Sequence, residues 1–163
     1  MFKKALGYSS VLLMVSLLVA CGTDEEVKDL DAKKTFTAAP KGKKVEGKWY
    51  TSAQLIRGKR VFAANCAVCH GANGEGLVTD WKKPGADGKF PAPPLNGTAH
   101  TWHHSKELLM RTVNEGGIAL GGTMLPFKDK LNKKEKEAVL AHVMSLWPKE
   151  IYDTWKKRNP ATQ

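Results

Sequence analysis

The feature that most constrains this chain is a five-residue segment, Cys66-Ala67-Val68-Cys69-His70, with the pattern C-x-x-C-H. Two thiols three positions apart, followed at once by an imidazole, are typical of the attachment site of a c-type haem. The thiols can add across the two haem vinyl groups as thioether bonds, and His70 is then held directly under the iron as an axial ligand. A chain with this motif has to fold around a large, flat, apolar group.

Three other interpretations of Cys66 and Cys69 stay open at this stage. A thioredoxin-like redox pair needs a βαβ context and no adjacent His. A zinc site needs four nitrogen or sulfur ligands, and a chain with 3 cysteines has no second pair to supply them. A structural disulfide across so short a loop contributes little stability. Haem attachment is therefore the favoured interpretation.

The first twenty residues are typical of an export signal. Lys3 and Lys4 precede a mostly apolar segment that is too short and too interrupted by Gly and Ser to favour a membrane-spanning helix. It ends in the letters L-V-A-C, the last being Cys21, which resembles the lipobox of bacterial lipoproteins. That resemblance implies that Cys21 is acylated and becomes the new N-terminus, which anchors the chain stably to a membrane.

Two alternatives for this end of the chain stay open: a retained N-terminal anchor, and cleavage nearby that leaves Cys21 as a free thiol. In bacterial lipoproteins an Asp after the acylated Cys often signals inner-membrane retention, but Gly22 stands here. The predicted location is thus the periplasmic face of the cell envelope, at the outer membrane if the host has one. With Cys21 used for lipid, Cys66 and Cys69 are left for haem alone.

Composition divides the rest of the chain into a tether, a domain and a tail. Residues 21–48 are charged and poor in apolar side chains, which predicts a flexible tether. Residues 49–158 form the predicted haem domain and residues 159–163 the tail. The formal net charge is +10. For an exported chain this charge favours anionic lipid headgroups or acidic redox partners over nucleic acid.

Helix signals organise the domain. A capping box at Thr51 and Gln54 predicts a helix that runs to about Ala64. Further helices are predicted over residues 105–115 and 132–147, with a short last helix around residues 151–155. No strand is predicted. The sequence therefore predicts an all-α fold with three main helices around one covalently bound haem, the first and last of them crossing.

Residues 71–104 are rich in Gly and Pro and predict a long irregular segment, which is unusual in a compact domain unless it has a function. Wrapping a haem is such a function. Met124, in the sequence G-G-T-M-L-P, is the best candidate for the sixth iron ligand, since a soft thioether favours Fe(II) and raises the reduction potential. Core packing of Met124 and an open site stay open as alternatives. The rival ligands are His100, His103, His104 and His142.

Over residues 51–147 the chain resembles the monohaem class I cytochromes c. Gly58 and Phe62 resemble the first helix of that family, in which the Gly allows a close helix crossing. Pro93-Pro94-Leu95-Asn96-Gly97 resembles the Pro-x-Leu-x-Gly segment that follows the haem motif. The resemblance implies that the Pro93 carbonyl accepts a hydrogen bond from His70 Nδ1 and that Leu95 packs on the ring.

Two departures from that family stand out: the segment 77–92 is longer than in small members, and Leu125 separates Met124 from the following Pro. Trp102 is a candidate donor to a haem propionate, with plain packing as the alternative.

Together these features predict an electron-transfer protein rather than an enzyme, with a redox donor and acceptor as partners. Four lysines predict a basic rim at the haem edge or else a solvated helix start: Lys128, Lys130, Lys133 and Lys134. One alternative is a haem enzyme or gas sensor with an open iron position, in which His100 or His103 acts. Another is a haem subunit of a larger respiratory or metal-handling complex.

Overall fold

The computed structural model describes residues 42–162 of the chain. This part contains five α-helices: α1 (Ser52–Asn65), α2 (Ala67–His70), α3 (Lys106–Glu115), α4 (Lys133–Ser145) and α5 (Lys149–Arg158). It also has 3-10 turns at Thr101–His103, Ile118–Leu120 and Pro160–Thr162. Within residues 42–162, β-structure is limited to two isolated bridges, Lys44 with Thr51 and Phe90 with Gly122. The predicted all-α class is confirmed.

The predicted signal segment 1–20, Cys21 and the predicted tether as far as residue 41 lie outside the described residues. Within residues 42–162, none of the helices has both the length and the apolar character needed to cross a bilayer.

Local sequence signals set the helix ends. The Thr51 hydroxyl and the Gln54 side chain form a reciprocal capping box at the start of α1, and Asn132 and Glu135 form the same arrangement at the start of α4. The Ser105 side chain caps α3. The helix α4 ends at Ser145, two residues before the predicted end. Pro148 then precedes the first residue of α5, which is longer than the predicted last helix.

The helices α1 and α4 cross closely, with Gly58 at the crossing. A Cβ atom at Gly58 would lie 2.6 Å from the carbonyl carbon of Ala138 and 3.0 Å from His142 Cβ. Because no larger residue fits there, the glycine lets the two helices touch. Beside the crossing lies a buried group that we call the crossing cluster: Val61, Phe62, Leu131, Val139 and Val143.

A second buried group lies between α3, α4 and α5. We call it the aromatic cluster: Tyr50, Leu109, Leu140, Ala141, Met144, Trp147, Tyr152 and Trp155. The segment before α1 folds back to join it, because Val45 N donates to Tyr50 O at 3.0 Å and Trp49 Nε1 donates to Met144 Sδ at 3.0 Å. The sequence analysis did not predict this second core.

Candidate haem site

The C-x-x-C-H motif follows α1 directly and forms the single turn α2. Cys66 N donates to Phe62 O at 2.8 Å, so the motif continues from the end of α1, and His70 N donates back to Cys66 O at 2.9 Å. Residues three apart on one turn share a face, which places both sulfurs on the same side of the backbone. Cys66 and Cys69 are free thiols, the first half-buried and the second exposed.

The electrostatic setting of Cys66 differs from that of a reactive redox thiol. Burial, followed by the neighbouring Cys69, raises the pKa of Cys66 to about 11, while Lys130 lowers it. Catalytic dithiols instead have a lowered thiol pKa. Among residues 42–162 no group of three His, Cys, Asp or Glu side chains is placed to bind a metal ion. The raised pKa and the packing of Cys66 against the crossing cluster suit a thiol that is attached to an apolar group.

His70 is 8% exposed, and its Nδ1 makes a hydrogen bond of 2.9 Å with the carbonyl oxygen of Pro93. Since that carbonyl can only accept, Nδ1 carries the proton and Nε2 keeps its lone pair. Burial lowers the pKa of His70, although the Pro93 hydrogen bond raises it. A neutral imidazole with a free Nε2 is the form that binds a metal.

The segment that carries Pro93 is held from three sides. Leu95 N donates to Gly74 O at 2.6 Å, and Trp147 Nε1 donates to Leu95 O at 2.8 Å. The buried Thr101 hydroxyl donates to Pro94 O at 3.3 Å. Leu95 packs against the crossing cluster together with Cys66. The structure therefore brings together Cys66, His70, Pro93 and Leu95, which the sequence analysis singled out for one site.

Met124 lies on a closed loop that begins at the last residue of α3, which we call the Met124 loop (residues 115–126). Gly117 N donates to Met124 O at 2.9 Å, and Gly122 N donates to Gly117 O at 3.0 Å. Gly116 has φ +79, and a Cβ there would meet Met124 O at 2.6 Å, so the backbone packs too tightly for a side chain. Phe90 N donates to Gly121 O at 2.8 Å, which joins this loop to the segment that leads to Pro93.

Large apolar side chains are exposed on three segments: α2, the loop that leads to Pro93, and the Met124 loop. Besides Ile56 of α1, those that are exposed within residues 42–162 are Val68, Leu77, Val78, Phe90, Ile118, Leu120 and Leu125. Val68 lies on α2. The loop before Pro93 carries Leu77, Val78 and Phe90, and the Met124 loop carries Ile118, Leu120 and Leu125. Apolar side chains left exposed are typical of a protein whose apolar partner is not bound. With the free thiols and the free Nε2 of His70, the residues present fit a haem that would be attached at Cys66 and Cys69.

Trp102 has a different environment. It packs against the aromatic cluster, contacts the His103 ring edge-on with centroids 4.0 Å apart, and lies 6.0 Å from the Arg158 guanidinium. These contacts favour the packing alternative for Trp102. His142 is buried against Phe62 in the crossing cluster, with ring centroids 5.1 Å apart.

His100 and His104 form another group, with ring centroids 5.3 Å apart. The Trp81 ring stacks on His100 at 5.1 Å, and Trp155 Nε1 donates to His104 O at 2.8 Å. Burial and the neighbouring imidazoles lower the pKa of His100. The His104 carbonyl therefore joins this group to α5.

Two buried residues with long-range hydrogen bonds were not among the predicted site residues. Trp147, at the end of the helix predicted over residues 132–147, donates its indole N–H to Leu95 O and so holds the segment after Pro93. Lys136 stands in a run of charged residues but is buried, and its spacing from Val139, Leu140 and Val143 matches the apolar face of α4. That spacing is the signal that could have found it.

An all-α domain in which a C-x-x-C-H turn ends in a His held by a proline carbonyl is a c-type cytochrome domain, and its cofactor is haem c. The chain belongs to the cytochrome cbb3 family, described as "cytochrome c oxidase, cbb3-type, subunit III", whose model matches residues 53–143.

The curated proteins that are similar to this chain include two subunits of cbb3-type oxidases. One is the "Cbb3-type cytochrome c oxidase subunit FixP" of Sinorhizobium medicae (strain WSM419), which is 32% identical over 95 residues, 55% of this chain and 29% of the relative. The other is the "Cbb3-type cytochrome c oxidase subunit CcoP" of Azospirillum sp. (strain B510), 28% identical over 102 residues, 63% of this chain and 32% of the relative. The chain thus spans about a third of either relative's length. No solved structure matches it significantly.

Proposed function

We propose that this protein carries single electrons through one haem c, with Cys66 and Cys69 as the attachment residues and His70 and Met124 as the axial ligands. The observation that carries the proposal is the 2.9 Å hydrogen bond between His70 Nδ1 and Pro93 O. It fixes the ring orientation and leaves Nε2 for iron. One C-x-x-C-H motif in the chain supports one haem per polypeptide.

The Met124 loop supports the second axial position. Met124 is half-buried on a loop joined through Phe90 to the segment that leads to Pro93. Met144, by comparison, is fully buried and its sulfur accepts a hydrogen bond from Trp49. A haem supplies the redox change when bound, and the protein's part is to fill both axial positions so that no substrate reaches the metal. Electron transfer rather than catalysis follows from that arrangement.

The attachment of the protein to the cell envelope belongs to the same proposal. Export and acylation at Cys21 would place the domain at the periplasmic face of the membrane, at the outer membrane if the host has one, and residues 22–41 would serve as the tether. The support is the L-V-A-C sequence and the charged composition that follows it. Mass spectrometry of the purified chain tests this directly, because acylation adds a lipid mass to a peptide that begins at Cys21.

The decisive experiment on the haem is an absorption spectrum of the purified holoprotein beside that of Met124→Ala. We expect the wild type to show the weak far-red band of Met bound to Fe(III) and no carbon monoxide shift at neutral pH. Met124→Ala should lose the band and bind carbon monoxide. Met110→Ala is the matched control, since it removes a half-buried thioether from α3 and should behave as wild type. A wild type that binds carbon monoxide freely would support a ligand sensor or haem enzyme instead.

A second candidate function is an electron relay within a larger respiratory complex. The family description and the names of the two relatives favour it, since both refer to subunits of a cbb3-type oxidase. Extraction in mild detergent followed by size-exclusion chromatography separates the two candidates. A relay subunit elutes with the other subunits of an oxidase, whereas a carrier elutes alone.

A further inference from the structure

Lys136 of α4 has a side chain that is 8% exposed. Its Nζ donates to Asn114 Oδ1 at 2.6 Å and to Lys128 O at 3.3 Å. The neighbouring Lys133 and Lys134 are exposed. A buried ammonium is costly unless it is hydrogen-bonded, so the position of Lys136 calls for a purpose beyond solubility.

Both partners of Lys136 lie where the Met124 loop begins and ends. Phe127 N donates to Val113 O at 3.1 Å, and Lys128 N donates to Asn114 O at 3.1 Å. These two hydrogen bonds close the loop, and we call residues 113–114 and 127–128 its neck. The Lys136 ammonium therefore contacts both sides of the neck, through a side-chain oxygen on one side and a carbonyl oxygen on the other.

The neck is continuous with the backbone that holds Met124. The hydrogen bond from Gly117 N to Met124 O ties the two sides of the loop together just beyond the neck. Lys136 itself belongs to α4. This helix packs across α1, and α1 leads directly into Cys66. Lys136 thus joins the Met124 loop to the helix pair that positions the C-x-x-C-H turn.

We propose that Lys136 is a positioning residue that fastens the neck of the Met124 loop to α4 and so keeps the Met124 thioether in place for iron. The inference rests on the proposed function, because it takes Met124 as the sixth ligand. Without the ammonium, Asn114 Oδ1 and Lys128 O lose a donor and the neck is free to move away from α4. The loop then opens more often, and an external ligand competes better with Met124.

The test compares Lys136→Met, Lys134→Met and Lys136→Arg in the full-length holoprotein. Lys136→Met keeps the apolar stem but removes the ammonium and both of its hydrogen bonds, a loss that changes an open–closed equilibrium about tenfold. We expect the reduced variant to bind carbon monoxide about tenfold more tightly than wild type, with a weaker far-red band when oxidised. Lys134→Met removes the same charge from an exposed site and should match wild type. Lys136→Arg should restore the far-red band at least in part.

Amide hydrogen exchange gives a second measurement. The amides of Phe127 and Lys128 should exchange faster in Lys136→Met than in wild type, while the Cys66 amide, which donates to Phe62 O at the end of α1, should not. If Lys136→Met does not fold, Asn114→Ala and Asn114→Asp replace it: Ala removes an acceptor and should weaken the far-red band, whereas Asp keeps one and should preserve it.

The inference is overturned if Lys136→Met is less stable yet keeps the wild-type far-red band and carbon monoxide affinity, since Lys136 would then be structural only. It is equally overturned if Lys134→Met shows the same changes as Lys136→Met, or if Asn114→Ala matches Asn114→Asp. A wild type with no far-red band and free carbon monoxide binding would overturn the proposed function instead, so the two failures are distinguishable.

Discussion

Gly58 of α1 lies against the backbone carbonyl of Ala138 in α4, with no space for a Cβ atom between them. A Gly→Ala change inside an exposed helix face stabilises by about 1 kcal/mol through helix propensity. At this crossing the atoms opposite Gly58 belong to the backbone of α4 and cannot move away as a side chain could. The cost of overpacking therefore exceeds the gain in helix propensity. Gly58→Ala should therefore lower the free energy of unfolding by about 2 kcal/mol.

Chemical denaturation of the holoprotein checks this prediction, with Lys59→Ala as the control at an exposed position of the same helix. Lys59→Ala should stay within about 0.5 kcal/mol of wild type. An increase in stability for Gly58→Ala would mean that the helices do not touch at this residue.

Trp147 and Trp155 allow a matched comparison. Each is buried, and each donates its indole N–H to a carbonyl at 2.8 Å, Leu95 O for the former and His104 O for the latter. Replacing either by Phe should lower the free energy of unfolding by about 1–2 kcal/mol. Because only Trp147 holds the segment after Pro93, only Trp147→Phe should also shift the reduction potential, measured by spectroelectrochemistry. Equal potentials in the two variants would show that this hydrogen bond does not affect the site.

His142 should make the free energy of unfolding of the domain depend on pH. Burial, and to a lesser extent Lys59, lowers the pKa of His142 in the folded chain below the ordinary value of 6.5. The unfolded chain then binds a proton at higher pH than the folded chain. The free energy of unfolding should decline as the pH falls through about 6.5 and level off below the folded-state pKa.

Denaturant titrations between neutral and mildly acidic pH measure this decline in wild type and in His142→Gln. The variant should show a shallower but not flat dependence, since the pKa of His100 is lowered as well. The exposed His103→Gln is the comparison variant. An unchanged slope in His142→Gln would rule out His142 as the group responsible.

Lys130 lies close enough to Cys66 to lower the pKa of that thiol, so its charge lies near the proposed thioether edge. With ferricyanide as a small anionic oxidant, Lys130→Glu should react severalfold more slowly than wild type at low salt. The difference should disappear as salt rises. Lys157→Glu, an exposed change on α5, should leave the stopped-flow rate close to wild type. If the two variants slow equally, net charge rather than a basic rim governs the reaction.

The helix ends were predicted well where they depend on residues that are close in sequence. The capping box at Thr51 and the predicted end of the second helix at residue 115 are confirmed because each depends on neighbours within a few positions. The prediction that Gly58 allows a close helix crossing is also confirmed. The roles of Cys66, Cys69, His70 and Met124 as haem residues stay predictions.

Long-range packing explains what the sequence did not reveal. Residues 43–48 have the composition of a solvated tether, yet Val45 packs against the aromatic cluster, which only the tertiary structure supplies. Lys136 was hidden in a charged run because charge suggests exposure, while its partners Asn114 and Lys128 are distant in sequence. The packing of Trp102 likewise involves a residue distant in sequence, Arg158 of α5.

The division of the interior into the crossing cluster and the aromatic cluster has a consequence for how the protein matures. Cys66 packs on the crossing cluster, whereas the aromatic cluster contains no residue of the C-x-x-C-H turn. We therefore expect the aromatic cluster to pack before the cofactor is attached, and the packing around the thiols to be completed by attachment. The newly made polypeptide would then present its cysteines on a scaffold that is already built, and covalent attachment would be the final step of folding.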